Sequence, residues 1–337
     1  MLINLSKNSS QEEIKEIVAH LNHHGLAHHV VEREGIITIG VEKNPSPSLL
    51  EELGQLSGVS EISECSSPYK LAAKIAKDEK TVIQVKGVPI GGKGITIIAG
   101  PCAIESYEQL VILGFALKEM GISILRASAF KPRTSPYSFQ GAGIEGLRWH
   151  KEAQKEHGLL IETEVMDTRD VEMVAEHVDI LRIGARNMHN FDLLKEVGKC
   201  GKPVILKRGM SATVEEWLLS AEYIMTHGNH EVILCERGIR TFEPSTRNTL
   251  DLNGVAVART RTHLPIIVDP THAAGRKDII PAISKAAIAV GADGLLIEVH
   301  HRPDEAKSDG PQALLPGELK VLMQEVRAVA QAVGRSL

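Results

Sequence analysis

Little in this chain points outward. Cysteine is scarce: Cys65, Cys102, Cys200 and Cys235 are scattered through 337 residues, which is no disulfide framework and fits a reduced compartment. No apolar run is long enough to span a bilayer. The first residues, MLINLSKNSSQEEIKE, lack the basic start and apolar core of a signal peptide. Neither sign of charge dominates. A formal net charge of -5 argues against a nucleic-acid or anionic-membrane partner. A cytoplasmic protein is expected.

What is present is apolar bulk, 43% of the residues, enough for one large domain with a small companion. Residues 1–65 read as a compact α+β unit. Leu2, Ile3 and Leu5 open a strand. Ser10 and Glu13 form a capping-box pattern, and Ile14, Ile17, Val18 and Leu21 recur at helical spacing. LAHHVVE and IITIGVE are strands around a turn at Arg33 to Gly35, SPSLLEELGQL is a helix, and VSEISE is a last strand. The order β-α-β-β-α-β is the ferredoxin-like, ACT-like pattern. His23, His24, His28 and His29 are expected on its solvated faces. CSSPYK opens a linker, taken as 66–80.

From 81 to 337 the rhythm changes. TVIQVKGVPIGG predicts a hairpin. Then eight buried-looking strands alternate with amphipathic helices: ITIIAG, SILRAS, LLIETE, ILRIGA, PVILKR, VILCER, PIIVDP and GLLIEVH. Eight even units over this length predict a closed (β/α)8 TIM barrel rather than an open doubly wound sheet.

In such a barrel the active site lies at the C-terminal strand ends. Two groups of residues stand there. Arg126, Lys131, Arg133, Arg186, Lys207 and Arg237 are cations aimed at one mouth, and like charges crowd only where anions fill the space. Their bland alternative is pairing with Glu162, Glu164, Glu236 and Asp269, though pairing of all six is not expected. Cys102, His272, Glu298 and Asp309 form a mixed soft and hard donor set that suits a first-row divalent ion better than Ca²⁺ or Mg²⁺. Their spacing contains no short ligand motif, and Cys102 alone reads equally well as a buried thiol. One stretch, FKPRTSPYSFQG at 130–141, fits neither helix nor strand. It sets Lys131 and Arg133 on either side of Pro132, and Pro132 and Pro136 lower the entropy cost of fixing both cations.

AGPCAIES, KPRTSPYSFQG, IGARN, ILCERGIRTFE, VDPTHAAGRKD and IEVHHRPDEAKSDGPQ together resemble the 3-deoxy-D-arabino-heptulosonate 7-phosphate synthases of the type I-beta group. The resemblance covers the barrel and extends to the N-terminal ferredoxin-like unit of a regulated subset. It implies condensation of phosphoenolpyruvate with erythrose 4-phosphate at the entry to the shikimate pathway. It implies that Cys102, His272, Glu298 and Asp309 bind the metal, expected to be Mn²⁺, Fe²⁺, Co²⁺, Zn²⁺ or Cd²⁺. Arg126, Lys131, Arg186, Lys207 and Arg237 are implied to hold phosphoenolpyruvate. Arg133, Thr134, Ser135 and Asp309 are implied to face erythrose 4-phosphate. Lys131 is the expected proton donor, and Glu164 is expected to orient the attacking water. A homotetramer and feedback by tyrosine or phenylalanine are further expectations. The octulosonate 8-phosphate synthases are the nearest rival, typically with KANRSS where this chain has KPRTSP. A sensor built on a dead barrel, or an aldolase using Lys207 as a Schiff base, are the other readings.

Overall fold

The computed structural model describes residues 1–33, 35–43, 45–77 and 79–337, with the backbone alone for Arg33. The turn expected at Arg33 to Gly35 includes Glu34 and lies outside the described residues.

The small unit runs β1 (Leu2–Leu5), α1 (Gln11–His23), β2 (His28–Arg33), β3 (Ile36–Val41), α2 (Pro47–Gln55) and β4 (Val59–Ser63), the order expected. Its sheet has the order β2-β3-β1-β4, with neighbours antiparallel. Ser10 starts α1 as a capping box. Its hydroxyl accepts the Glu13 N–H at 3.2 Å, while the Glu13 carboxylate accepts the Ser10 N–H at 2.7 Å. Ile17 and Leu21 of α1 and Leu49 and Leu53 of α2 bury against Ile3 and Ile39 in a core of the unit's own.

A hairpin follows, β5 (Ile83–Val85) and β6 (Val88–Ile90). Then come the barrel strands β7 (Thr96–Gly100), β8 (Ile124–Arg126), β9 (Leu160–Val165), β10 (Ile180–Ile183), β11 (Val204–Lys207), β12 (Val232–Glu236), β13 (Ile266–Val268) and β14 (Gly294–Glu298). They close in sequence order, β14 pairing back onto β7. The helices are α3 (Tyr107–Glu119), α4 (Gly143–His157), α5 (Val171–Ala175), α6 (Phe191–Lys199), α7 (Val214–Met225), α8 (Leu252–Arg261), α9 (Pro270–Ala274), α10 (Ile280–Ala289) and α11 (Pro316–Ala332). Among the described residues no helix is long and apolar enough to cross a membrane.

Strand side chains alternate, so every second residue faces the barrel axis. One inward set is apolar: Ile98, Ile124, Leu160, Ile180, Ile205, Ile233, Ile267 and Leu296 form a single cluster closed by Ile83, Val85 and Ile90 of the hairpin. The hairpin is therefore the floor of the barrel. Two residues further along the same strands, the inward set is Gly100, Arg126, Glu162, Arg182, Lys207, Cys235, Asp269 and Glu298. The alternation thus converts an isoleucine layer directly into a charged one.

The linker proves to be docked. Glu222 of α7 accepts the N–H groups of Lys70, Leu71 and Ala72, each at 2.8 Å. Ala72 also receives the Thr262 hydroxyl, at 2.5 Å, and Leu71, Ala72 and Ala73 are buried in the barrel's outer core. Burial raises Glu222 above the usual carboxylate range, and the three N–H groups work against that rise.

His150 of α4 is fully buried, and among the described residues neither ring nitrogen has a hydrogen-bond partner. Burial, with His177 nearby, pushes its pKa from 6.5 down to about 3. A histidine with a depressed folded pKa binds its proton first in the unfolded state. Stability is therefore full above the unfolded value and falls as pH drops from 6.5 toward about 3. The loss from this group alone should be about 2 kcal/mol at pH 5 relative to neutral pH. Urea titration should show wild type losing midpoint over this range and His150→Leu losing less; equal losses would contradict the assignment.

Candidate active site

The register pairs Glu298 of β14 with Gly100 of β7, so Cys102, two residues past β7, stands beside the end of β14. His272 comes from α9, whose start is fixed by Asp269: its Oδ1 accepts the His272 N–H at 2.9 Å and the Thr271 hydroxyl at 2.7 Å. Asp309 takes the left-handed conformation at φ +56, which aspartate tolerates better than most residues.

These four residues converge. The Cys102 Sγ lies 3.1 Å from Asp309 Oδ2. His272 Nε2 lies 3.2 Å from Glu298 Oε1 and 3.8 Å from Asp309 Oδ2. One donor atom from each falls within 4.8 Å of all the others. Asp269 Oδ2 stands 2.7 Å from His272 Nδ1, the carboxylate brace that turns the other ring nitrogen into a ligand. Glu298 Oε2 accepts from Gln312, whereas Oε1 is buried and, among the described residues, accepts no hydrogen bond, with His272 Nε2 at 3.2 Å and Arg126 at 3.3 Å as its neighbours. Burial, reinforced by Glu298, pushes the Cys102 thiol up to about 12. Burial also lowers His272 to about 4, against the pull of Asp269 and Glu298. For Asp309 burial opposes ionisation, yet His272 and Arg247 hold it well below the usual range. A neutral imidazole, two ionised carboxylates and a thiol aimed at one point fit a divalent ion that displaces the thiol proton.

The charged layer of the barrel is internally neutralised. Arg126 meets Glu298 at 3.3 Å, Arg182 meets Glu162 at 3.1 Å, and Lys207 meets Asp269 at 2.6 Å. Above it opens a cavity of about 240 Å³ lined by Lys131, Arg133, Thr134, Ser135, Glu164, Arg186, Lys207, Arg237, Arg247, His272 and Asp309. Among the described residues Lys131, Arg133, Arg186 and Arg237 have no carboxylate within 4.0 Å. Lys131 Nζ instead reaches Cys102 Sγ at 3.0 Å and Cys102 O at 3.3 Å. Arg133 reaches the Ser308 hydroxyl, and Arg237 has a buried Nη1 with no partner.

Arg126, expected among the mouth cations, does not line this cavity. It is wholly buried and committed to the metal group through Glu298. The other expected site residues do converge. Three contributors were missed. Arg182 is inward-facing by strand alternation, two residues after Ile180, and was legible in ILRIGA. Arg247, 3.2 Å from Asp309 Oδ1, comes from the loop after β12, where no periodicity marks it. Ser308 bridges Arg133 and Cys102 and carries no signal of its own.

Glu164 is buried beside Arg182, Lys131 and Lys207. Burial alone would raise its pKa, but those cations hold it below the usual range. Its carboxylate lies so close over Gly184 that a Cβ there would collide with Oε1.

The model of the DAHP synthetase I family matches residues 75–334. The chain is 45% identical over 334 residues, 99% of each protein, to a phospho-2-dehydro-3-deoxyheptonate aldolase of Thermotoga maritima. It is 32% identical to a 2-dehydro-3-deoxyphosphooctonate aldolase of Acidithiobacillus ferrooxidans, over 70% of this chain and 90% of that one. The crystal structure of the Thermotoga maritima enzyme superposes with a TM-score of 0.79 at 44% identity, covering 99% of this chain and 98% of that one.

Proposed function

The chain belongs to the DAHP synthetase I family, and from that premise we propose how the residues of this barrel mouth divide the reaction among them. The reaction joins phosphoenolpyruvate, D-erythrose 4-phosphate and water to give 3-deoxy-D-arabino-heptulosonate 7-phosphate and inorganic phosphate, at the entry to the shikimate pathway to aromatic amino acids. The observation that carries the assignment is the set of four cations around one cavity that have no carboxylate of their own among the described residues. Two phosphorylated substrates, one also a carboxylate, supply the missing anions.

Arg186, Arg237 and Lys207 hold the phosphate and carboxylate of phosphoenolpyruvate, with Lys131 beside them. Arg126 acts from beneath, by fixing Glu298. Arg133, Thr134 and Ser135 take the sugar phosphate, and Arg247 adds a cation on the same side. Cys102, His272, Glu298 and Asp309 would hold the divalent ion that the family implies. When bound, that ion supplies Lewis acidity to the aldehyde oxygen. Asp309 also faces the sugar phosphate.

C3 of phosphoenolpyruvate bonds to the aldehyde carbon, and the former carbonyl oxygen takes a proton from Lys131. Water adds at C2 as positive character develops there; one of its protons restores the Lys131 ammonium and the other leaves on inorganic phosphate as C2 becomes a carbonyl. The C2–O bond to phosphate then breaks, and inorganic phosphate leaves with the bridging oxygen. Glu164 accepts a hydrogen bond from the attacking water. The cations that keep it ionised make it a better orienting group than a proton store. An imine on Lys207 is disfavoured, because that amine already contacts Asp269 at 2.6 Å.

The test is product analysis with oxygen-labelled phosphoenolpyruvate. Label in the C2–O–P bridge should depart in phosphate, and erythrose 4-phosphate should turn over far faster than arabinose 5-phosphate. Label retained in the sugar, or a preference for the pentose, would overturn the reading.

Control is read into the small unit. Between it and α7 lies a cavity of about 290 Å³, lined in part by His29, Gly40, Lys70, Leu219 and Tyr223, and its sheet packs on the barrel through the docked segment. Tyrosine or phenylalanine should inhibit the full-length enzyme, and deletion of residues 1–65 should remove inhibition while leaving turnover. An enzyme indifferent to both amino acids at millimolar levels would refute this part alone.

A further inference from the structure

We propose that the small unit carries a second metal site, formed by His20 and His24 of α1 and Glu52 of α2, for a borderline divalent ion such as Zn²⁺, Ni²⁺ or Cu²⁺. One donor atom from each of the three lies within 4.8 Å of the other two. His20 and His24 are four residues apart and so share one edge of α1, with ring centroids 5.1 Å apart. His20 Nε2 stands 3.5 Å from Glu52 Oε2. Metal–nitrogen bonds of about 2.0–2.1 Å place neighbouring tetrahedral ligands about 3.4 Å apart, so that pair is already at ligand spacing. His24 is exposed and free to turn onto the ion.

Three further features favour a cation here. His20 Nε2 is shielded from water and, among the described residues, makes no hydrogen bond, its one polar neighbour being the Glu52 carboxylate at 3.5 Å, a pairing that a positive charge between the two would complete. Glu52 meets no lysine or arginine among the described residues; its one ion pair is with His20. The pair of imidazoles stands at the C-terminal end of α1, where the helix dipole and free carbonyls favour positive charge. The backbone around the trio is fixed by the core beneath it. Ile17 and Leu21 flank His20, Leu49 and Leu53 flank Glu52, and all four belong to one buried cluster. A bound ion would join the two helices across that seam.

The site lacks a thiolate, so it differs in kind from the group at the barrel mouth. Nitrogen and carboxylate donors suit Zn²⁺, Ni²⁺ and Cu²⁺, while the cysteine gives the barrel group its affinity for softer ions. The difference also separates the two in experiment. Co²⁺ at the barrel should show a sulfur-to-metal charge-transfer band, and Co²⁺ on the small unit should not.

The experiment uses the full-length protein stripped of metal, dialysed against Zn²⁺ and assayed for bound metal per chain. Wild type should bind two ions. His24→Ala and Glu52→Gln should each weaken one binding event by ~10-fold or more, since one of three protein ligands is gone. Both variants should keep wild-type turnover and the Co²⁺ charge-transfer band. Glu52→Gln is isosteric and more than half exposed, so it covers any disturbance of α1 by the histidine change. Cys102→Ala should lose the other ion and keep this one. Saturation of wild type at one ion, or a second ion undiminished in both variants, would overturn the proposal. Neither result would touch the assignment of the barrel mouth, which the charge-transfer band reports separately.

Discussion

A strong chelator should take turnover to background, and Mn²⁺, Co²⁺, Fe²⁺ or Cd²⁺ should restore it. Cys102→Ala should reach the same low level with metal present. The donor cluster gathers two carboxylates and a braced imidazole at one focus with the thiol. An ion there contributes several kcal/mol of stabilisation to developing negative charge, so its loss is a change of ~10³-fold or more. The fold should survive. Cys102 lies beyond the strand end, above the charged layer, and takes no part in the isoleucine cluster that seals the barrel. Thermal unfolding of Cys102→Ala in chelator should match wild type in chelator to within about 1 kcal/mol. A Cys102→Ala enzyme fully active in excess chelator would end the metal assignment.

Lys131→Met should lower kcat by ~10²–10⁴-fold, the usual worth of a positioned proton donor, with a smaller change in the KM for either substrate. Its ammonium stands 3.0 Å from the Cys102 sulfur, at the edge of the donor cluster and inside the cavity. In the proposed division of roles it stands beside the oxygen of the new hydroxyl. Lys131→Arg should not rescue, because a guanidinium keeps its proton and needs the width of a fork. Arg186→Ala should show the opposite split, raising the KM for phosphoenolpyruvate more than it lowers kcat. If Lys131→Met instead raises KM and spares kcat, the lysine is a binding group and the proton comes from elsewhere.

The barrel was legible because its strands are short apolar runs at even spacing, with β8, β11, β12 and β14 ending in a charge. Closure of β14 onto β7 then makes the convergence of Cys102 and Glu298 a geometric necessity. Reading the residues after each strand found Lys131, Arg186 and Arg237, yet it put Arg126 in the cavity. Arg126 ends a strand only three residues long, β8, so its side chain stays in the barrel layer with Glu298. Arg182 was overlooked for the converse reason: it lies inside its strand, where only the alternation from Ile180 marks it as inward. Arg247 and Ser308 sit on loops, whose placement depends on tertiary partners with no periodic trace in the chain. The docking of residues 70–73 was equally invisible, since it rests on Glu222, some 150 residues away.

That docking makes Lys70 a joint with two owners. Its backbone N–H belongs to the barrel, held by Glu222 at 2.8 Å. Its ammonium belongs to the other side, donating to the carbonyls of Cys65 and Ser67 at 2.7 Å each. The Met1 ammonium also approaches the Cys65 carbonyl, at 3.5 Å. Pulling the backbone away would strand a half-buried carboxylate that has lost three hydrogen bonds at once. Swinging the side chain aside would release carbonyls that water can readily serve. A reorientation of the small unit that kept the Glu222 bonds would have to turn on the N-terminal side of residue 70, and the strain would fall on α7.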